Sequence, residues 1–335
     1  MGKKVSVVTC ASYGGTGSSA ITDLLKEFDN VNSLGDFEFS ICHEVDGISD
    51  LQHHLVDDFH RLKNDEAIYR FKKLCGHIEK DYNKYFNNKF SEITEEYIES
   101  LIDVEWQGYW HQHNYRYNKL LAYMIYTFPS KIQRKLNSIF NKNRKYEFVA
   151  YTKKSPMCLA YPKEDFLDKT RNYTDKLLSE IDNNYKYLAL DQLVSPFNVK
   201  RYLNYYSDIK VIVVDRDPRD LYILNKVYWK EGWIPSENVD TYIKWFKTLR
   251  AHLNYEKDDE RIIRINFEDL IYNYNNTLEK IMNFLNLDLS NHTRPKKFLN
   301  PEISIKNCGL FKNYSELQND IRKIESELKE FCYLK

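Results

Sequence analysis

The chain has 335 residues, 42% of them hydrophobic, enough to bury a core for one large domain or two modest ones. Forty-nine Lys and Arg balance forty-nine Asp and Glu, so total charge gives no reason to expect nucleic acid or an anionic membrane surface as partner, though a balanced total does not say how charge is distributed. Six scattered cysteines with no CxxC pair predict free thiols in a reducing compartment, and no apolar run reaches the length of a signal peptide core or a membrane span. These features predict a cytoplasmic protein.

Residues 4–10 form a short β-branched run around Val5, Val7 and Val8 that suits a buried parallel strand. The segment 11–17 (ASYGGTG) cannot continue it. From Ser18 onward Ala20, Ile21, Leu24, Leu25 and Phe28 fall at helical spacing. A second strand is predicted over 31–34, ending in Gly35-Asp36-Phe37-Glu38. Residues 45–145 then read as a helical insertion, charged and aromatic and almost free of Gly and Pro. No linker-like composition sets it apart, so the chain reads as one domain, 1–335. Strands return at 147–151, 187–190, 209–214 and 262–265, with helices at 240–254 and 275–285. Alternating strands and helices predict an α/β fold, a parallel sheet covered on both faces.

A strand, a glycine-rich turn and a helix start together make an anion site, because the first helical N–H groups lack intrahelical partners and the macrodipole is positive there. Gly14, Gly15 and Gly17 allow the close backbone approach of a phosphate cradle, and Thr16, Ser18 and Ser19 add hydroxyls. The lysine of GxxxxGK[ST] is missing, since Ser18 follows Gly17, which argues against an ordinary NTPase. A dinucleotide fingerprint (Gly15-x-Gly17-x-x-Ala20) matches only loosely, and a plain glycine connector is the bland alternative.

The second constellation is 208–225 (DIKVIVVDRDPRDLYILN), an apolar strand ending abruptly in Asp215-Arg216-Asp217-Pro218-Arg219-Asp220. Ligands of open α/β sheets bind beyond the carboxyl ends of strands. Arg216 therefore stands where its planar fork can grip a phosphate. A surface Arg–Asp network capping a helix is the alternative.

With these residues in view, the sequence resembles the sulfotransferases that use 3′-phosphoadenosine 5′-phosphosulfate (PAPS). Thr16-Gly17-Ser18-Ser19 is similar to that family's first loop, and Arg216-Asp217-Pro218-Arg219-Asp220 to its second motif. Residues 264–270 with 277–287 resemble its late strand and helix, and 304–312 its C-terminal loop. The resemblance covers roughly 4–40 and 186–330. It implies a P-loop-type three-layer sandwich with a central parallel sheet. It further implies transfer of a sulfuryl group from PAPS to a hydroxyl or amine of a carbohydrate, lipid or small-molecule acceptor, leaving 3′-phosphoadenosine 5′-phosphate (PAP) and needing no metal. By the same resemblance 15–19 would hold the 5′-phosphosulfate, with Gly14 beside them, and Arg216, Lys306 and Asn307 the 3′-phosphate.

The chain departs from the family in two places. Gly15 stands where many members carry a cation that bridges the leaving phosphate, so Lys306, or the pair Lys153-Lys154, would have to substitute. Leu224 stands where a serine often binds the 3′-phosphate, and Asn225 is the nearest donor. For the catalytic base the choice lies between Glu38 and Asp36, with Glu38 preferred and His43 third. Two other readings stay open: a catalytically impaired relative that binds the nucleotide, and another P-loop transferase such as a kinase. The His53, His54, Asp57, Asp58, His60 group reads as ordinary helix surface more readily than as a metal site. Among five tryptophans, Trp229 and Trp233 are the best candidates for an acceptor groove.

Overall fold

Val7–Ser12 forms β1, buried at every position in the computed structural model, which describes residues 4–140, 153–181 and 184–334, and of Asp36 only the backbone. A strand buried on both faces needs apolar side chains pointing each way, and VVTCA supplies them. β1 is central to a five-stranded sheet with β2 (Val31–Glu38), β5 (Tyr187–Asp191), β6 (Ile209–Asp215) and β7 (Ile262–Asn266), in the order β2-β5-β1-β6-β7. Every pairing is parallel, with Val7 opposite Leu188 on one side and Ile209 on the other. Helices Ser18–Leu25 and Tyr274–Leu285 pack Ile21, Leu24, Leu25, Ile281 and Leu285 into one core with Val8, Cys10 and Ile212. The α/β parallel sheet expected from alternating strands and helices is the observed fold.

The strands run one to four residues further at their carboxyl ends than apolar patterning predicts. β2 continues to Glu38 because Phe37 and Phe39 pack on Phe86, and Phe37 also stacks on Tyr85 at 3.7 Å. The same contacts explain why Lys84–Lys89 belongs to the α/β unit, which comprises Met1–Glu44, Lys84–Lys89 and Thr170–Lys335.

A second compact unit comprises Val45–Asn83 and Phe90–Lys169. It reaches past the expected limit at 145, and it is not wholly helical. Besides helices Arg61–Asn83 and Phe90–Leu101 it holds an antiparallel pair, β3 (Val104–Gly108) with β4 (Ser155–Leu159). Two buried polar residues secure the edge of β4. Asn64 exchanges hydrogen bonds with Ala160, and Asp65 accepts from the Cys158 amide at 2.9 Å and lies 3.0 Å from His113 Nε2. The pairings with Cys158 and Ala160 join residues more than ninety apart in sequence, which local periodicity cannot register. The strand expected at 147–151 lies outside the described residues.

Candidate active site

The carboxyl ends of β1 and β6 are adjacent, and the strand order runs in opposite directions from them, β1 leading to β2 and β6 to β7, which makes a topological switch point. The glycine loop fills that crevice. Gly14, Gly15 and Gly17 take φ of 87°, 67° and 109°, a left-handed run that turns the backbone from strand into helix. Thr16 is fully buried, and its hydroxyl donates to the Val214 carbonyl at 2.7 Å while accepting from the Tyr13 amide at 3.2 Å. Its side chain therefore fastens the loop to β6 and is not a free ligand donor. Ser18 donates to Asp191 at 3.0 Å, and Ser19 is exposed at the helix start.

Arg216 follows β6 and is 5% exposed. Its guanidinium lies over the Phe267 ring at 4.5 Å, and a Cβ added to Gly17 would meet the same ring at 2.7 Å. One phenyl ring thus lies against both the loop backbone at Gly17 and the Arg216 guanidinium. Arg216 Nη2 donates to the Asn307 carbonyl, whereas Nε has no partner. Burial lowers the arginine's pKa, opposed chiefly by Glu268. Glu268 accepts from the Asp217 amide at 3.0 Å, its other oxygen is unpartnered, and burial pushes its pKa up to about 7. An orphaned buried donor such as Arg216 Nε calls for an explanation, and an anionic group held there supplies one.

The loop after residue 304 is tied down beside Arg216. Asp220 accepts from the amides of Gly309 (2.6 Å) and Phe311 (3.2 Å). Arg219 stacks on Phe311 at 4.1 Å and pairs with Asp217 and Glu325. Asn307 is consequently brought to Arg216 through its backbone, while Lys306 is exposed. Asn225 is placed otherwise than expected. It is 1% exposed, its amide donates to Glu231 O, Ile234 O and Ser236 Oγ, and its Oδ1 accepts from the Glu231 amide. With those groups engaged it shapes the turn that carries Trp233, and has no donor to spare for a phosphate.

A cleft of about 480 Å³ opens beside the glycine loop, lined by Gly14, Gly15, Ser18, Glu38, His43 and Trp233 among others. Glu38 is exposed at the end of β2; Asp36 lies two residues earlier, its side chain outside the described set. His43 hydrogen-bonds the Gln192 carbonyl at 2.8 Å. Trp233 and Trp229 cover the loop: a Cβ on Gly14 would meet the former at 2.2 Å, and one on Gly15 the latter at 2.7 Å. Glycine at 15 is thereby explained, since a lysine there would need the space the Trp229 ring fills. No lysine or arginine lines this cleft among the described residues. Lys153 and Lys154 are exposed on the second unit.

Three residues of the site were not foreseen. Asp191 ends β5, is 4% exposed, and has one oxygen on Ser18 and the other without a partner. Burial raises its pKa to about 7. The available signal was the first acidic residue after the apolar run YLAL. Phe267 and Glu268 stood inside a recognised segment without a role. Among the described residues no three His, Cys, Asp or Glu side chains converge as a metal site, and no helix is long and apolar enough to cross a membrane.

A glycine loop at the switch point of a parallel sheet, with an arginine at the end of the neighbouring strand, defines an α/β protein of the P-loop type. Residues 16–291 match the family model described as the sulfotransferase family, so the chain belongs to that family of transferases. No curated protein sequence matches it significantly. Among solved structures it is similar to retinol dehydratase in complex with androsterone and inactive cofactor PAP (15% identity, TM-score 0.36, covering 100% of this chain and 84% of that one). It is also similar to the sulfotransferase domain of the Synechococcus PCC 7002 olefin synthase (11%, 0.39, 100% and 97%) and that of the curacin biosynthetic pathway (11%, 0.40, 99% and 100%). The family match alone carries the assignment.

Proposed function

We propose that this chain is a cytoplasmic enzyme that moves a sulfuryl group from PAPS to a hydroxyl or amine of a carbohydrate, lipid or small-molecule acceptor. The observation that supports the reading is that Phe267 lies against both Gly17 and Arg216 while Arg216 Nε has no partner: helix-start amides and a guanidinium with a free donor are the groups a two-ended anion would need. The donor supplies the sulfuryl group and a bisphosphate leaving group. The amides of 15–19 would take the 5′ end, and Arg216, with Asn307 and Lys306 on the adjacent loop, the 3′-phosphate. Glu38, exposed in the cleft, would accept the proton the acceptor sheds as its new bond forms, with Asp36 as the second choice. The single-domain reading, 1–335 with 45–145 as a helical insertion, is part of the same proposal.

A second reading has its own support: the Trp229 ring stands where a Cβ at position 15 would go, leaving no room for a loop lysine there, which fits a relative that binds nucleotide without turnover. A thermal-shift comparison of PAP with ADP, ATP plus Mg²⁺, and NAD separates the readings. PAP at a hundred times its Kd is expected to stabilise by about 2.7 kcal/mol, and Arg216→Ala to lose that shift. Stabilisation by ATP plus Mg²⁺ and not by PAP would point to another P-loop transferase. PAP binding without sulfated product from any acceptor would point to the impaired relative.

A further inference from the structure

The second unit carries a helix whose amphipathicity is inverted. Lys119–Ala122, a π-helical turn Tyr123–Thr127 and Phe128–Phe140 run on as one rod, roughly 33 Å long at about 1.5 Å per residue. Its inward side bears Ala122 and Tyr126, with Tyr126 stacked on Tyr109 at 4.7 Å, then the half-buried polar residues Gln133 and Asn137. Its apolar residues point to solvent: Met124 is 52% exposed, Phe128 42%, Ile132 44%, Leu136 49% and Ile139 55%. With Leu121 they recur at intervals of three and four, a single stripe. No residue of Phe128–Phe140 is buried, whereas the neighbouring helix Phe90–Leu101 buries six. Such a stripe on a water-soluble surface needs an occupant.

Charge says which. From Trp106 to Phe140 the sequence has five Lys and Arg and no Asp or Glu, in a chain whose totals are equal. Lys119, Lys131, Arg134 and Lys135 have no carboxylate partner among the described residues, and Lys131 and Lys135 lie along one margin of the apolar stripe. We propose that this helix docks the chain, lying in the plane of the interface, on a bilayer surface that bears anionic headgroups. An apolar stripe edged by cations is what that boundary accepts: the stripe enters the acyl margin and the cations meet the headgroups. A second copy of the chain suits it less well. A two-fold contact through this stripe would set the stretch against itself, and the stretch has no carboxylate to meet Lys131 and Lys135. The rod is too polar to span.

The test is flotation of the full chain with vesicles of phosphatidylcholine alone and of phosphatidylcholine mixed with phosphatidylserine. Binding to the mixed vesicles is expected, falling as salt rises, with little binding to the neutral ones. Ile132→Glu combined with Leu136→Glu should abolish it. Lys131→Gln and Lys135→Gln should each lower the partition coefficient about fivefold. All four side chains are exposed, so circular dichroism and the thermal midpoint should not change. No binding to either vesicle, equal binding to both, or binding unaltered by the glutamate pair would overturn the proposal. So would a dimer in sedimentation that the glutamate pair dissociates while vesicle binding is absent.

Discussion

Replacing Asp191 by Asn isolates the cost of a carboxylate buried beside the glycine loop. Burial is the main cause of its raised pKa and the Glu38 charge adds to it, while the Ser18 hydrogen bond works in the other direction. The pKa moves from 3.8 to about 7. Between those values the folded chain holds a proton that the unfolded chain has already released. Stability from this group is therefore complete below pH 4 and drains away as pH rises to 7. A shift of about three units corresponds to roughly 4 kcal/mol at about 1.36 kcal/mol per unit, of which about 3 kcal/mol is lost between pH 5 and pH 8. Asn keeps the shape and an acceptor for Ser18 but cannot ionise. Urea unfolding followed by tryptophan fluorescence should give a wild type that loses about 3 kcal/mol more than Asp191→Asn over that interval. Glu268, raised to about 7 by its own burial, titrates in both proteins and cancels in the difference. Parallel pH dependences for the two proteins would refute the reasoning.

Glu38→Gln should lower kcat of sulfuryl transfer by about 10²-fold or more while leaving PAP affinity unchanged, and Asp36→Asn should do so only if that residue is the base; steady-state kinetics beside a PAP titration decides. Gly15→Ala should cost about 1–3 kcal/mol, because its Cβ would sit 2.7 Å from Trp229 at a φ of 67°. Adding Trp229→Ala should recover the steric part alone, a coupling read from a double-mutant cycle in thermal denaturation. Asp220→Ala strips the acceptor from the Gly309 and Phe311 amides. It should cost about 1–3 kcal/mol and speed limited proteolysis within residues 305–313, measured by mass spectrometry of the fragments.

Some of this molecule was legible in one dimension. The apolar runs that become β1, β5, β6 and β7, the helix periodicity from Ser18, and the break at ASYGGTG are local properties, and propensity and steric limits act on neighbours in sequence. The abrupt charge after 209–214 marked the end of β6 for the same reason. The second unit was less readable. VEWQG at 104–108 gave too short a signal to stand out from the helices around it, and its partner strand lies some fifty residues away. The basic, apolar character of 119–140 was present in the letters, but an amphipathic stripe looks alike whether it faces a core or water.

What the sequence determined by itself, then, is which segments can be strand, loop or helix, and that a glycine turn and a strand-end arginine exist. Tertiary structure alone decided that Phe267 lies against both of those groups, that Trp229 closes the space beside Gly15, and that Asn225 and Thr16 spend their polar atoms within the protein. It also decided that Asp191 is buried with an oxygen unpaired. The reason is physical. Propensity is set by a residue's own backbone and nearest neighbours, but a hydrogen bond's satisfaction and a charge's burial depend on atoms contributed by strands 180 or more positions apart.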